Sequence, residues 1–258
     1  MQVVRLSESS GSSHLATAVL PYRHAQDKGG FDVIPARSFW LARLAEQSHL
    51  DLHRYGSQLT VILSGAITLH AEGDEQVQLL PGDVLCSDIS TPGVVRTEWR
   101  GDVWVLLIST PGWQPEYGAL HVARVDEPRS GRPSMTWVYD DMNWSRSEPF
   151  RWPSGLTTVP DVSEWPTSVG AFVTRRDYGL DGYAAGVWHN GPRRQFAVTL
   201  NGCAELETSD GSVSRPVAGD LTLIDDAVGP GHITRGHGDR WMLFLTVAAG
   251  ELPMTAEL

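Results

Sequence analysis

The stretch LTVILSGAITL, residues 59–69, decides how this chain is read, because it returns as FAVTLNGCAEL, residues 196–206. The offset is 137 residues (196 − 59). Working outward, the same offset joins Gln58 to Gln195, Gly65 to Gly202, Gly82-Asp83 to Gly219-Asp220 and Asp88 to Asp225. It also joins Gly101-Asp102-x-Trp104 to Gly238-Asp239-x-Trp241, and with them VWVLLIST (103–110) to RWMLFLTV (240–247). Two gapless copies indicate a duplicated domain rather than a solenoid array. Polar residues that differ between the copies therefore point to function.

The repeated runs alternate with period two and are rich in Val, Ile, Leu and Thr. Gly, Pro and Asp interrupt them at short intervals, which is the pattern of an all-β sandwich or barrel. HAEGDEQ (70–76) and TSDGSVS (208–214) read as hairpin turns, the second through its Asp-Gly pair. No sustained helical stripe is present, so little helix is expected. The expected organisation is a first barrel over 1–112, a connecting and capping segment over 113–166, and a second barrel over 167–258. A structureless connection of that length is unusual in a compact domain. Part of it is expected to add strands to the second barrel or cover its mouth, and the first 38 residues to do the same for the first. The ten tryptophans read as barrel caps and an inter-domain seam, with an aromatic wall over a ligand as the alternative.

Net charge is −11 over 258 residues, which argues against a nucleic-acid partner that would need clustered Lys and Arg. No apolar run approaches a membrane span, and the N-terminal residues lack the apolar core of a signal peptide. A cytoplasmic protein that acts on a small molecule is expected, with no membrane partner and a homodimer left open. Cys86 and Cys203 fall at unequal places in the repeat and read as buried thiols.

These spacings resemble the cupin family, whose motifs are G-x5-H-x-H-x(3,4)-E-x6-G and G-x5-P-x-G-x2-H-x3-N. The second copy has His189-Asn190-Gly191, then Gln195, Gly202, Gly219-Asp220 and Gly229-Pro230-Gly231-His232. Its WHNGPRRQ also resembles a group of small bacterial cupins with a Trp-His-x-x-Pro-Arg-Arg-Gln signature. The resemblance covers residues 39–110 and 167–248 and implies two tandem cupin-type barrels (double-stranded β-helix, or jelly roll). It departs from the family at Gly191, where the family has its second His, and at Gln195, where it has Glu. In the first copy only His53 and Gln58 survive, and the second-motif His is Val95. The first barrel is therefore expected to be structural.

Small closed barrels hold side chains or one small ligand, lined by alternate strand residues. His189, Gly191, Arg193, Gln195, Ala197 and Thr199 share parity, and by resemblance His232 points into the same hollow. Three readings follow. His189, Gln195 and His232 bind one divalent metal (Fe, Mn, Ni or Zn), though Gln is a weak neutral ligand. Alternatively His189 and His232 serve as catalytic acid–base groups without metal, with Arg193 or Arg194 anchoring a carboxylate or phosphate. In the third reading the barrel only binds a ligand, or its polar groups only satisfy each other. Asp225-Asp226 reads as a turn, with Asp226 orienting His232 or Arg193 as the alternative. With Arg193 and Arg194, the residues Gln195, Asp226 and Tyr183 are expected to bind the substrate, and Tyr178 lies close enough in sequence to reach the site. The expected activity is a lyase, isomerase or cyclase acting on a small polar or anionic metabolite. A mononuclear metal dioxygenase and a non-catalytic sensor are the alternatives.

Overall fold

The computed structural model describes residues 1, 3–9, 12–24, 34–46, 56–71, 74–87, 96–113, 116–117, 133, 135–141, 143–149, 165–177, 184–236 and 238–248. The first half forms β1 (Val3–Ser9), β2 (Ser12–Val19), β3 (Tyr22–His24), β4 (Ser38–Leu44), β5 (Gln58–Ser64), β6 (Ile67–His70), β7 (Gln76–Leu79), β8 (Val84–Ser87), β9 (Arg96–Glu98), β10 (Val103–Ser109) and β11 (Glu116–Tyr117). The second forms β12 (Met135–Asp141), β13 (Trp144–Pro149), β14 (Ser168–Asp177), β15 (Ala184–Ala185), β16 (Gln195–Asn201), β17 (Ala204–Thr208), β18 (Val213–Ser214), β19 (Leu221–Asp225), β20 (His232–Gly236) and β21 (Asp239–Val247). The described residues contain no α-helix, so the all-β expectation holds.

Two seven-stranded sheets, β11-β2-β1-β8-β5-β10-β4 and β13-β12-β19-β16-β21-β14-β3, carry the fold. A smaller sheet completes each barrel, β7-β6-β9 for the first and β15-β20-β17-β18 for the second. The expected hairpins join β6 to β7 and β17 to β18. β1 adds to β8 in parallel, and β12 adds to β19 in the same way. β3 crosses over and pairs in parallel with β14 of the second sheet.

The repeated Gly-Asp has a structural cause in each barrel. Asp83 accepts a hydrogen bond from the Leu80 N–H at 2.9 Å, and Asp220 accepts one from the Val217 N–H at 3.0 Å. Gly82 and Gly219 stand at φ +83° and +87°, where L side chains are strained. A Cβ on Gly82 would collide with the Leu200 carbonyl oxygen, and one on Gly219 with that of Leu63. Leu200 is the repeat of Leu63, so the contact is reciprocal, as across a two-fold interface. The Asp of each Gly-Asp-x-Trp pairs with an arginine of the neighbouring strand, Arg43 with Asp102 and Arg175 with Asp239.

One face of each large sheet packs against the other. Leu59, Val61, Leu63 and Leu106 share an apolar cluster with Phe196, Val198, Leu221 and Leu243, and Phe39 meets Phe196 edge to face. The opposite faces enclose the barrel interiors, and there the copies diverge. The first interior is filled by Ile62, Leu69, Leu79, Leu85, Val103, Val105, Leu107 and Trp165. The second has a small apolar cluster of Ala197, Ile224 and Met242, with Phe244 against it. Strand register shows the change directly. Ala42↔Val105 and Leu44↔Val103 in the first barrel correspond to Thr174↔Met242 and Arg176↔Arg240 in the second.

Trp104 and Trp241 lie in the apolar seam between the two large sheets. Cys86 is buried, but Cys203 is only half-buried, which corrects its expected burial; the two form no disulfide with each other. No helix of the described residues is long and apolar enough to cross a membrane.

Candidate functional site

The second barrel holds a partly open cavity of about 230 Å³. Its wall takes Phe172, Thr174 and Arg176 from β14, Gln195 and Ala197 from β16, and Thr222 and Ile224 from β19. β20 contributes His232 and Thr234, and β21 contributes Arg240, Met242 and Phe244. His189, Gly191 and Pro192 complete it from the segment before β16. Phe172 and Phe244 stack with centroids 5.0 Å apart and form an apolar wall.

The two histidines are brought together by a short antiparallel bridge. Each backbone N–H donates to the other's carbonyl, at 3.0 and 2.9 Å, and the ring centroids are 4.5 Å apart. Buried His232 places Nδ1 2.6 Å from Asp226 Oδ2. A carboxylate only accepts, so Nδ1 carries the proton and Nε2 is the ring nitrogen left for the cavity. Asp226 Oδ1 accepts the Gly191 N–H at 3.2 Å, which fixes the carboxylate in turn. His189 donates Nδ1–H to the Val187 carbonyl at 2.8 Å. Burial pushes the His189 imidazole below its usual range, and the charges of His232 and Arg176 act in the same direction, against the Val187 hydrogen bond. The pair thus joins an imidazole held below its ordinary pKa to one whose Nδ1 meets a buried carboxylate.

The loop that delivers His232 is clamped from β12 and β13. Asp140 accepts the Val228 N–H at 2.7 Å and the Ser145 hydroxyl at 2.8 Å, and Ser145 Oγ accepts the Gly231 N–H at 2.8 Å. The Asn190 amide donates to the carbonyls of Asp226 and Gly229 at 3.0 and 2.6 Å. Burial alone would raise the Asp140 carboxyl, but the hydrogen bonds from Val228, Gly229 and Ser145 hold it below its ordinary value.

Of the residues singled out in the sequence, His189, Gln195 and His232 meet on the wall. Gln195 Oε1 is buried there without a hydrogen-bond partner. The expectation for Arg193 and Arg194 is corrected. The strand begins at Gln195, so period-two alternation does not reach back to Arg193, which is exposed in the preceding turn. Arg194 forks onto Asp225 at 2.9 and 2.6 Å, and that pairing raises its pKa. Asp226 is also corrected: it lies behind His232 rather than on the wall, and takes the orienting role given above as an alternative. Tyr178, Tyr183 and His53 lie outside the described residues. Arg176 and Arg240 were not singled out from the sequence. Arg240 replaces Val103 at the repeat offset, a signal that was legible. Arg176 corresponds in register to Leu44, but its spacing from Leu44 is not the repeat offset, so a gapless comparison misses it. No tryptophan lines the cavity among the described residues.

A divalent metal would meet a poor donor set here. Two imidazoles and one amide reach the wall, but no carboxylate does among the described residues. Among the described residues, no group of three or more His, Cys, Asp or Glu is placed to hold a metal ion. A His at 191 would have to displace Ile224 and the Asp226 carboxylate, because a Cβ alone already collides with Ile224. With two guanidinium groups on the same wall, the site suits an anion better than a divalent cation.

The described residues form an all-β protein of two similarly built barrels on a duplicated glycine frame. Among solved structures it is similar to a protein of unknown function from Pseudomonas syringae (12% identity, covering 95% of this chain and 99% of that one, TM-score 0.37). It is also similar to a cupin 2 conserved barrel domain protein from Leptotrichia buccalis (14%, 90% and 100%, 0.38). A third is a quercetin 2,3-dioxygenase from Acinetobacter baumannii (15%, 96% and 78%, 0.29). No protein-family model and no curated protein matches the chain.

Proposed function

We propose that the second barrel is the active site of an enzyme that moves a proton on a small organic anion, with lyase, isomerase or cyclase chemistry. The observation that carries this reading is His232, backed by buried Asp226 and set beside a His189 held below its ordinary pKa, on a cavity wall that also holds two arginines. Arg176 and Arg240 hold a carboxylate or phosphate, and the Phe172–Phe244 wall covers the carbon skeleton. His232 Nε2 takes or returns the proton, and Asp226 stabilises the imidazolium that forms. His189 Nε2 serves as the second proton-transfer group, and the Gln195 amide hydrogen-bonds the substrate. The volume is below the roughly 300–1,000 Å³ of drug-sized sites, so the substrate is a small metabolite.

Calorimetric titration with C3–C5 dicarboxylates and small phosphate monoesters tests the reading. One of these anions is expected to bind, and Arg176→Gln or Arg240→Gln to weaken it about tenfold or more, with Arg193→Gln neutral. His232→Ala is expected to abolish turnover of the anion that binds while leaving binding largely intact. Anion binding with no turnover under any condition would instead make the barrel a sensor or carrier. Stoichiometric Fe(II), Mn(II), Ni(II) or Zn(II) binding that His189→Ala and His232→Ala both remove would favour the metal-dependent dioxygenase reading.

A further inference from the structure

The first barrel, for all its apolar filling, carries a polar rung at one end of its strands. Ser87 pairs with Gln58 across β8 and β5, Gln58 with Ser109 across β5 and β10, and Ser109 with Ser38 across β10 and β4. Gln58 and Ser109 share parity with Ile62 and Val105, and Ser87 and Ser38 with Leu85 and Ala42. These partners all belong to the barrel's interior cluster, so the rung faces inward. The next rung down contains Thr60 and Trp40 beside Leu107 and Leu85.

Gln58 and Thr60 are each 1% exposed and Ser87 is 3% exposed. Among the described residues, neither end of the Gln58 amide has a hydrogen-bond partner. The same holds for Thr60 Oγ1, Ser87 Oγ and Trp40 Nε1. One buried polar atom without a partner is ordinary, whereas such a group converging on one rung calls for a cause. The duplication supplies a second observation. Gln195, the repeat of Gln58, occupies the same register position, pairing with Thr246 as Gln58 pairs with Ser109. Gln195 stands on a cavity wall, likewise with its amide oxygen buried and unpartnered.

We propose that this end of the first barrel is a second binding site, independent of the site in the second barrel. It takes a small neutral molecule rich in hydroxyl or amide groups. The chemistry of the rung sets the class. The Gln58 amide and the two hydroxyls both donate and accept, the Trp40 indole only donates, and none of these groups is charged. An anion would find no cation among them, and an apolar molecule would leave them all unpaired.

The test titrates the full-length protein with erythritol and with acetamide, following the Gln58 side-chain amide and Trp40 indole N–H signals by NMR. Saturable shifts of both signals with one of these probes are expected. Gln58→Leu or Thr60→Val should weaken that binding about tenfold or more, and Gln195→Leu should leave it unchanged. Because each of the first two changes removes an unpartnered polar group, both variants are expected to melt at or above the parent's Tm. Failure of both signals to respond saturably to either probe would overturn the proposal, as would a crystal soaked with both probes that shows only ordered water on the rung.

Discussion

His189 and His232 are the same residue type in two electrostatic situations, and the difference lies in what each Nδ1 meets. A backbone carbonyl orients His189 without balancing a charge, so burial dominates and the neutral ring is favoured. Behind His232 the Nδ1 partner is instead the buried Asp226 carboxylate. With the folded pKa of His189 below its ordinary 6.5, the unfolded chain takes up that proton first as pH falls. Stability associated with His189 is therefore complete above pH 6.5 and declines as pH drops through it toward the lower folded value. His189→Gln is expected to flatten the dependence of Tm on pH between about 7 and about 5. An unchanged slope in thermal melts would show that His189 is not held neutral. At this scale the sequence identified both rings and Gln195, because their spacing matched a recognisable motif. Arg193 was misassigned because alternation was extended into residues that belong to a turn.

The element that decides whether His232 points into the cavity is the loop 226–231, and strands distant in sequence hold it. Asp140 and Ser145 of β12 and β13 satisfy the N–H groups of Val228 and Gly231. Asp140→Asn is expected to cost about 1–2 kcal/mol, because it replaces a charge-assisted acceptor with a neutral one. It should also slow turnover of the anion that binds in the second barrel, since His232 loses its fixed position. Thermal melts and a turnover assay check the two effects. The Asp140 carboxyl lies below its ordinary 3.8 in the folded chain. Its contribution is thus present above pH 3.8 and lost as pH falls through the folded value, a loss the Asn variant should not show. The hairpins at 70–76 and 208–214 were readable because their turn residues are local. The loop's anchors were not, because nothing in GPGH announces a partner some ninety residues upstream.

The two halves behave as a dimer contained in one chain. Gly82 meets Leu200 and Gly219 meets Leu63, so the seam has one contact made twice. Gly82→Ala and Gly219→Ala are each expected to lose about 2–4 kcal/mol, through collision with a carbonyl oxygen and a strained φ. Gly211→Ala, at φ +86° with open space around it, should lose only about 1 kcal/mol. Chemical denaturation of the three variants checks the ranking. Equal costs for all three would mean that backbone strain alone, and not the seam, selects glycine.

The sequence by itself determined the duplication, the all-β class, the Gly-Asp turns and the position of the two imidazoles with their amide. All of these rest on short-range alternation, turn chemistry and spacing, which a chain carries wherever it folds. The tertiary structure alone decided that one interior is filled and the other hollow, that Arg176 stands beside Arg240, that Asp226 serves His232, and that β3 crosses to the other sheet. The reason is that sheet pairing joins residues tens of positions apart. Which neighbours a side chain meets is a property of that pairing, and no local pattern records it.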